Sequence, residues 1–229
     1  MKKRNNNIIR FKHYSNIKTK INKKKYFEKR RLEILNLSKK IVINNGWNND
    51  LFNKIENQKK IKLNELSIMF PGGYNELLEF SINNLNSKLQ KKMENYNLNI
   101  LPIHKRIKKI LLQKIIIMNE EKDFYSKIFF YLLLPKKNSS NLSKLYKSSD
   151  LICNIAKDQS TDFNFYTKRI ILSSIYFRTI LHFFNNNNLD ETELVLDNSL
   201  QKVSKIPLIK NKFKSIKKNF PNILKLLIS

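Results

Sequence analysis

Along most of the chain, apolar residues recur at three- and four-residue intervals, the spacing of one face of an α-helix. From residue 26 a stripe runs through Leu32, Leu35, Leu37, Ile41 and Val42, and Asn44-Asn45-Gly46 stops it. A short helix is predicted around Leu51, Phe52 and Ile55. Another runs from Lys62 to Phe70 and closes at Pro71-Gly72-Gly73. Three helices with tight breaks read as a helix-turn-helix-like part. A long helix follows from Tyr74, with Leu77, Leu78, Ile82, Leu85, Leu89 and Met93 on its stripe. Further helices are expected over Ile103 to Met118, Asp123 to Leu134 (closed by Pro135), Asn141 to Ala156, 163–184 and Glu191 to Val203, with a tail from Ile206 to Ile228. No convincing strand and no internal repeat is present. The expected fold is all-α, about nine or ten helices. It divides into a basic extension (1–25), a helix-turn-helix-like part (26–73), a helical domain (74–204) and a terminal amphipathic helix (205–229).

Composition narrows the chemistry. The 229 residues include only three glycines, Gly46, Gly72 and Gly73. No glycine loop can cradle a nucleotide phosphate, and no GxSxG elbow exists. A single cysteine, Cys153, excludes an internal disulfide framework. His13, His104 and His182 have no partner at metal spacing. With no acid–base or metal constellation visible, neither an enzyme nor a cofactor is expected.

The formal charge of +27 has a plain component. Lysines outnumber arginines 38 to 7, and there are 33 asparagines, the bias of an AT-rich coding sequence. The remainder still attracts polyanions, either nucleic acid or an anionic membrane. The longest apolar run, Ile128 to Leu134, is too short to cross a hydrocarbon core, so any membrane is met from the side.

Both ends carry this charge. Residues 1–25 hold ten Lys or Arg and no acid, which fits an organelle-targeting presequence or a basic tail. Near the C-terminus Ile209, Phe213, Ile216, Phe220, Ile223 and Leu227 recur at helical spacing. Lys210, Lys214 and Lys217 stand among them, and no acid follows Lys202. That is the pattern of an amphipathic helix lying in an anionic interface, kinked or divided at Pro221. The bland alternative is a last helix packed on the domain.

One segment stands apart from the Lys/Asn background: Asp158-Gln159-Ser160-Thr161-Asp162-Phe163-Asn164-Phe165-Tyr166-Thr167-Lys168-Arg169. Ser160, Thr161 and Asp162 are suited to cap a helix start. Phe163, Phe165 and Tyr166 cannot all share one face, so at least one should border an opening or a partner. Arg169 is one of few arginines and sits in an apolar run. Its planar fork suits either a carboxylate of the protein or a lipid phosphate at a pocket mouth. Arg178 admits the same two readings. The helix 163–184 is apolar round most of its circumference, as a core helix or the wall of an apolar cavity would be.

These residues resemble a known family, the lipid-binding accessory proteins of ubiquinone (coenzyme Q) biosynthesis, the ninth of the Coq proteins. The family's run Gly-Asp-Arg/Gln-Ser-Thr-Asp-Phe-Asn-Trp-Tyr-Thr-Lys/Arg-Arg is matched by residues 157–169, with Lys157 in place of Gly and Phe165 in place of Trp. Gly46-Trp47 and Phe70-Pro71-Gly72-Gly73 resemble two upstream landmarks. The resemblance implies a TetR-like helical fold and a non-catalytic protein that binds an isoprenoid quinone or a phospholipid. It implies presentation of quinone precursors to the di-iron demethoxyubiquinone hydroxylase of the pathway, the seventh Coq protein. It implies work on the matrix side of the mitochondrial inner membrane; a membrane-associated bacterial cytoplasmic protein is the alternative. By position, Phe165 and Tyr166, with Asp150, Leu151 and Ile152 just upstream, fall where the family faces its partner. Arg169 falls where a lipid head group would be met. Cys153 and Ile155 stand where the family has larger aromatics.

The expected partners are that hydroxylase, anionic membrane lipids and a second copy of the chain as a homodimer, without nucleic acid. A TetR-like DNA-binding regulator, reading through residues 49–70, is the competing function. Its recognition helix would be Lys62 to Phe70, which holds one Lys, one Glu and no Arg, and so offers little to base edges or phosphates.

Overall fold

The computed structural model describes residues 2–59, 61–134, 138–159, 162–186 and 188–204. The expected terminal helix, with Ile209, Lys210, Phe213, Lys214, Ile216, Lys217, Phe220, Ile223 and Leu227, lies outside the described residues, as do Pro135, Ser160 and Thr161. The described residues contain nine α-helices, one 3-10 turn (Leu98–Ile100) and no strand. The all-helical expectation therefore holds, and the arrangement agrees with a TetR-like bundle. The helices are α1 (Lys2–Asn45), α2 (Leu51–Lys59), α3 (Leu63–Met69), α4 (Gly73–Glu94), α5 (Ile103–Asn119), α6 (Lys122–Leu132), α7 (Asn138–Ile155), α8 (Asp162–Asn185) and α9 (Leu189–Ser204). The chain divides into two compact units between Ser81 and Ile82, within α4.

In the first unit, α1 runs without interruption through the expected boundary at residues 25 and 26. Its buried face is Ile34, Leu35, Ser38, Ile41 and Val42. Leu32 and Leu37, expected on that stripe, are exposed. At about 100° per residue they fall to either side of the buried sector. Ser38 is tolerated in the core because its hydroxyl donates to the Leu35 carbonyl at 2.7 Å. Gly46 ends α1 in the left-handed region, with φ +72° and its amide on the Val42 carbonyl. Trp47, Leu51, Ile55, Leu66 and Phe70 complete this core. The Arg31 guanidinium lies 4.6 Å from the ring centres of both Phe70 and Phe80, and its Nη2 donates to Glu76 at 2.6 Å. Arg30 donates to Glu65 of α3.

The second unit is built from the rest of α4 and from α5 to α9. Its core includes Leu85, Leu89, Ile110, Leu111, Phe124, Ile152, Leu172, Ile180 and Leu196. Helix α8 packs against both α7 and α9. His182 ties α8 to α9 through the Thr192 hydroxyl at 3.2 Å, and Lys108 ties α5 to α9 through Asp197 and Glu193. No helix among the described residues is long and apolar enough to cross a membrane.

Candidate functional site

The end of α7 and the start of α8 carry the segment that the sequence set apart. Helix α7 ends in a Schellman motif. The Lys157 amide donates to the Asn154 carbonyl at 3.0 Å, and the Asp158 amide reaches back to the Cys153 carbonyl at 3.0 Å. This closure puts Lys157 at φ +56°, the left-handed region that favours glycine. The glycine of the resembling motif thus has a conformational reason, and Lys157 occupies its place at a cost. Lys157→Gly is expected to stabilise the chain by about 1 kcal/mol, read as a shift of the urea midpoint. Arg106 secures the same turn by donating to the Ala156 carbonyl at 3.1 Å. Asp158, nearly enclosed, is held by Lys168 at 2.9 Å.

The turn brings Arg169 onto α7. Its side chain is 1% exposed. Nε donates to Asp150 Oδ1 at 2.5 Å, Nη1 to the Phe165 carbonyl at 3.0 Å and Nη2 to Asn154 Oδ1 at 3.4 Å. The guanidinium also lies 3.3 Å from the centre of the Phe165 ring. Of the two readings of Arg169, the clamp on a carboxylate of the protein is the arrangement present. A head group would have to displace Asp150. Arg178 is exposed and forms no ion pair among the described residues.

Phe165 and Tyr166 are both half-buried, and their rings meet edge to face at 5.1 Å. Leu151 and Asp150 are half-buried near the end of α7. All four keep some exposed surface. Ile152 does not: with no exposed area it faces the core and has no side-chain surface to give a partner. Cys153 is buried beside it, and burial pushes its thiol up to about 11. The Tyr146 hydroxyl is enclosed near this cluster without a hydrogen bond to a described residue.

The same helix α8 also walls a cavity of about 40 Å³. Tyr176, Ile180 and Phe184 come from α8, Leu85 from α4, Met118 from α5, and Ile128 and Phe129 from α6. Lys114, in the middle of α5, points into it and is 0% exposed. Its ammonium donates to Asn86 Oδ1 at 3.1 Å and lies 4.7 Å from the Tyr176 ring centre. Burial alone lowers its pKa to about 7. Burial also raises the Tyr176 hydroxyl, which is hydrogen-bonded with Ser148, and the Tyr125 hydroxyl. The sequence reading of 163–184 as a cavity wall anticipated this side of α8 but missed Lys114. The signal was one Lys inside Leu111-Leu112-Gln113-Lys114-Ile115-Ile116-Ile117, masked by the abundance of lysine elsewhere. A wider groove of about 350 Å³ beside the α7 end is polar, with Asn97, Asn99 and Asn154 on its walls.

The match to a family of known proteins falls on these helices. A family model described as COQ9 matches residues 139–207, the span of α7 to α9. The chain is also similar to "Ubiquinone biosynthesis protein COQ9, mitochondrial" of Rattus norvegicus, 41% identical over 71 residues. That stretch covers 30% of this chain and 23% of the rat protein's length. The helices that hold Asp150, Phe165, Tyr166 and Arg169 lie within residues 139–207, the stretch that is similar to the COQ9 family model.

Proposed function

We propose that this protein is a non-catalytic accessory protein of ubiquinone biosynthesis that binds an isoprenoid lipid and presents it to the di-iron hydroxylase of the pathway. The observation that carries this reading is a coincidence of place. The family-matched helices hold both the half-buried Phe165–Tyr166 pair and one wall of the apolar cavity. An apolar cavity of about 40 Å³ suits one end of an isoprenoid lipid, not the length of its chain, and paired aromatics at a surface suit a protein partner. The relative's printed name places that protein in the mitochondrion. The basic, acid-free first 25 residues of this chain fit import to the same compartment, and the lysine-rich 206–228 stretch fits attachment to the matrix face of the inner membrane.

The test uses the full chain. Mass spectrometry of an organic extract of the purified protein should show an isoprenoid quinone or phospholipid. In pull-down with the cognate hydroxylase, Tyr166→Ala should lose about 2 kcal/mol of binding, some thirtyfold, with its lipid content retained. Phe165→Trp should be tolerated. A lipid-free extract would sink the carrier reading. A pull-down indifferent to Tyr166→Ala would move the partner surface elsewhere.

A further inference from the structure

We propose that Lys114 selects, among long apolar molecules, those that carry an acidic oxygen at one end, a carboxylate or a phenolate; this rests on the reading of the α8 cavity as the lipid site. Three observations carry it. First, the ammonium is fully enclosed and has one hydrogen-bond partner among the described residues, the neutral amide of Asn86. Second, no acid among the described residues lines the cavity. The titratable groups that face Lys114 from the packed helices are Tyr125 of α6, Lys144 of α7 and Tyr176 of α8. Glu120 and Glu121 act on the Tyr125 hydroxyl from the start of α6. Third, the free space lies beside the ammonium, among Leu85, Met118, Ile128, Phe129 and Ile180.

An ammonium in such a place costs stability that one neutral hydrogen bond and the Tyr176 ring offset only in part. It has two donor hydrogens beyond the one given to Asn86. An anionic oxygen would take them as charge-assisted hydrogen bonds and supply the missing counter-charge. The free volume of about 40 Å³ exceeds the roughly 10–15 Å³ needed by one water, so it has room for a head group. The apolar tail has a way out. Leu132 and Phe184 line the cavity, Phe130 contacts Phe184 at 6.3 Å between ring centres, and Phe130, Leu133 and Leu134 lie exposed at the end of α6.

The binding must carry a proton signature. Below about pH 7 Lys114 is charged before the ligand arrives. Above it, a carboxylate ligand recruits a proton for Lys114 and its affinity falls about tenfold per pH unit, whereas a phenol brings that proton itself and keeps its affinity until it ionises. A neutral ligand of the same length shows no such fall.

The experiment is displacement of the neutral fluorescent probe N-phenyl-1-naphthylamine from the full-length protein by hexadecanoate or by hexadecanol, at about pH 6 and about pH 8.5. Wild type should prefer the acid by about tenfold or more at the lower pH and lose most of that preference at the higher. Lys114→Met should bind probe and alcohol as before and lose both the preference and its pH dependence. Lys114→Gln, which keeps a polar group, serves if the methionine variant does not fold. A preference for the acid that survives both substitutions overturns this inference and leaves the lipid site standing. Failure of wild type to bind probe, alcohol and acid alike overturns the lipid site and this inference together.

Discussion

Lys114→Met will raise the melting temperature at neutral and acidic pH, and the gain will shrink as pH rises. The cause is burial of an ammonium with no carboxylate against it among the described residues, which lowers its pKa from the ordinary 10.5 to about 7. Below pH 7 the amine is protonated in the folded and unfolded chains alike, so the folded state bears the whole cost. Between pH 7 and about 10.5 the unfolded chain holds a proton that the folded one lacks, and wild-type stability climbs by about 1.4 kcal/mol per pH unit. Above that window both forms are neutral and the difference has closed. The full cost is on the order of 5 kcal/mol, and each kcal/mol shifts the midpoint of a chain this long by about 2–4 °C. The +27 background also titrates, so the measurement is the difference between wild type and variant across a pH series. A gap that stays constant from pH 6 to pH 10 would mean that Lys114 remains charged in the fold and has a counter-ion after all.

That property was hidden in the sequence, whereas much of the fold was legible there. Helix ends are local events. Gly46 adopts φ +72° because a helix stop needs it, and Phe70-Pro71-Gly72-Gly73 breaks the chain between α3 and α4 for the same class of reason. The faces of helices are less local. Leu32 and Leu37 satisfy the apolar pattern of α1, yet Ile34 and Ser38 take the core positions, because the packed neighbours decide which sector is inside. Functional readings depended most on tertiary contacts. Lys114 differs from the other lysines only in where three other helices, α4, α6 and α8, place their apolar side chains. The two meanings of Arg169 were equally open until α7 and α8 packed, because Asp150 is 19 residues away in sequence. Ile152 shows the converse: its place just upstream of the 157–169 run, by resemblance, gave it to a partner, and packing gave it to the core.

The Arg169–Asp150 pair should respond unequally to loss of its two members. The guanidinium is 1% exposed and the carboxylate 37% exposed, so water can serve Asp150 but not Arg169. Asp150→Ala strands a buried charge that, among the described residues, keeps the Phe165 carbonyl and Asn154 Oδ1 as acceptors. Breaking a buried pair in this way costs about 3–5 kcal/mol, and the two remaining acceptors place the expected loss near the lower figure. Arg169→Met removes the charge itself. It leaves a carboxylate that solvent can reach and an apolar side chain against the Phe165 ring, so the expected loss is about 1–2 kcal/mol. The double variant should therefore be more stable than Asp150→Ala alone, a reversal that additive contacts cannot produce. Urea denaturation of the four proteins reads this directly. Lipid content, measured on the same preparations, separates the clamp from a head-group site. An ion pair internal to the fold predicts that Arg169→Met keeps its lipid while it loses stability. Loss of bound lipid with the urea midpoint unmoved would return Arg169 to the phosphate of a ligand, and Asp150 would then be a counter-ion that the ligand displaces.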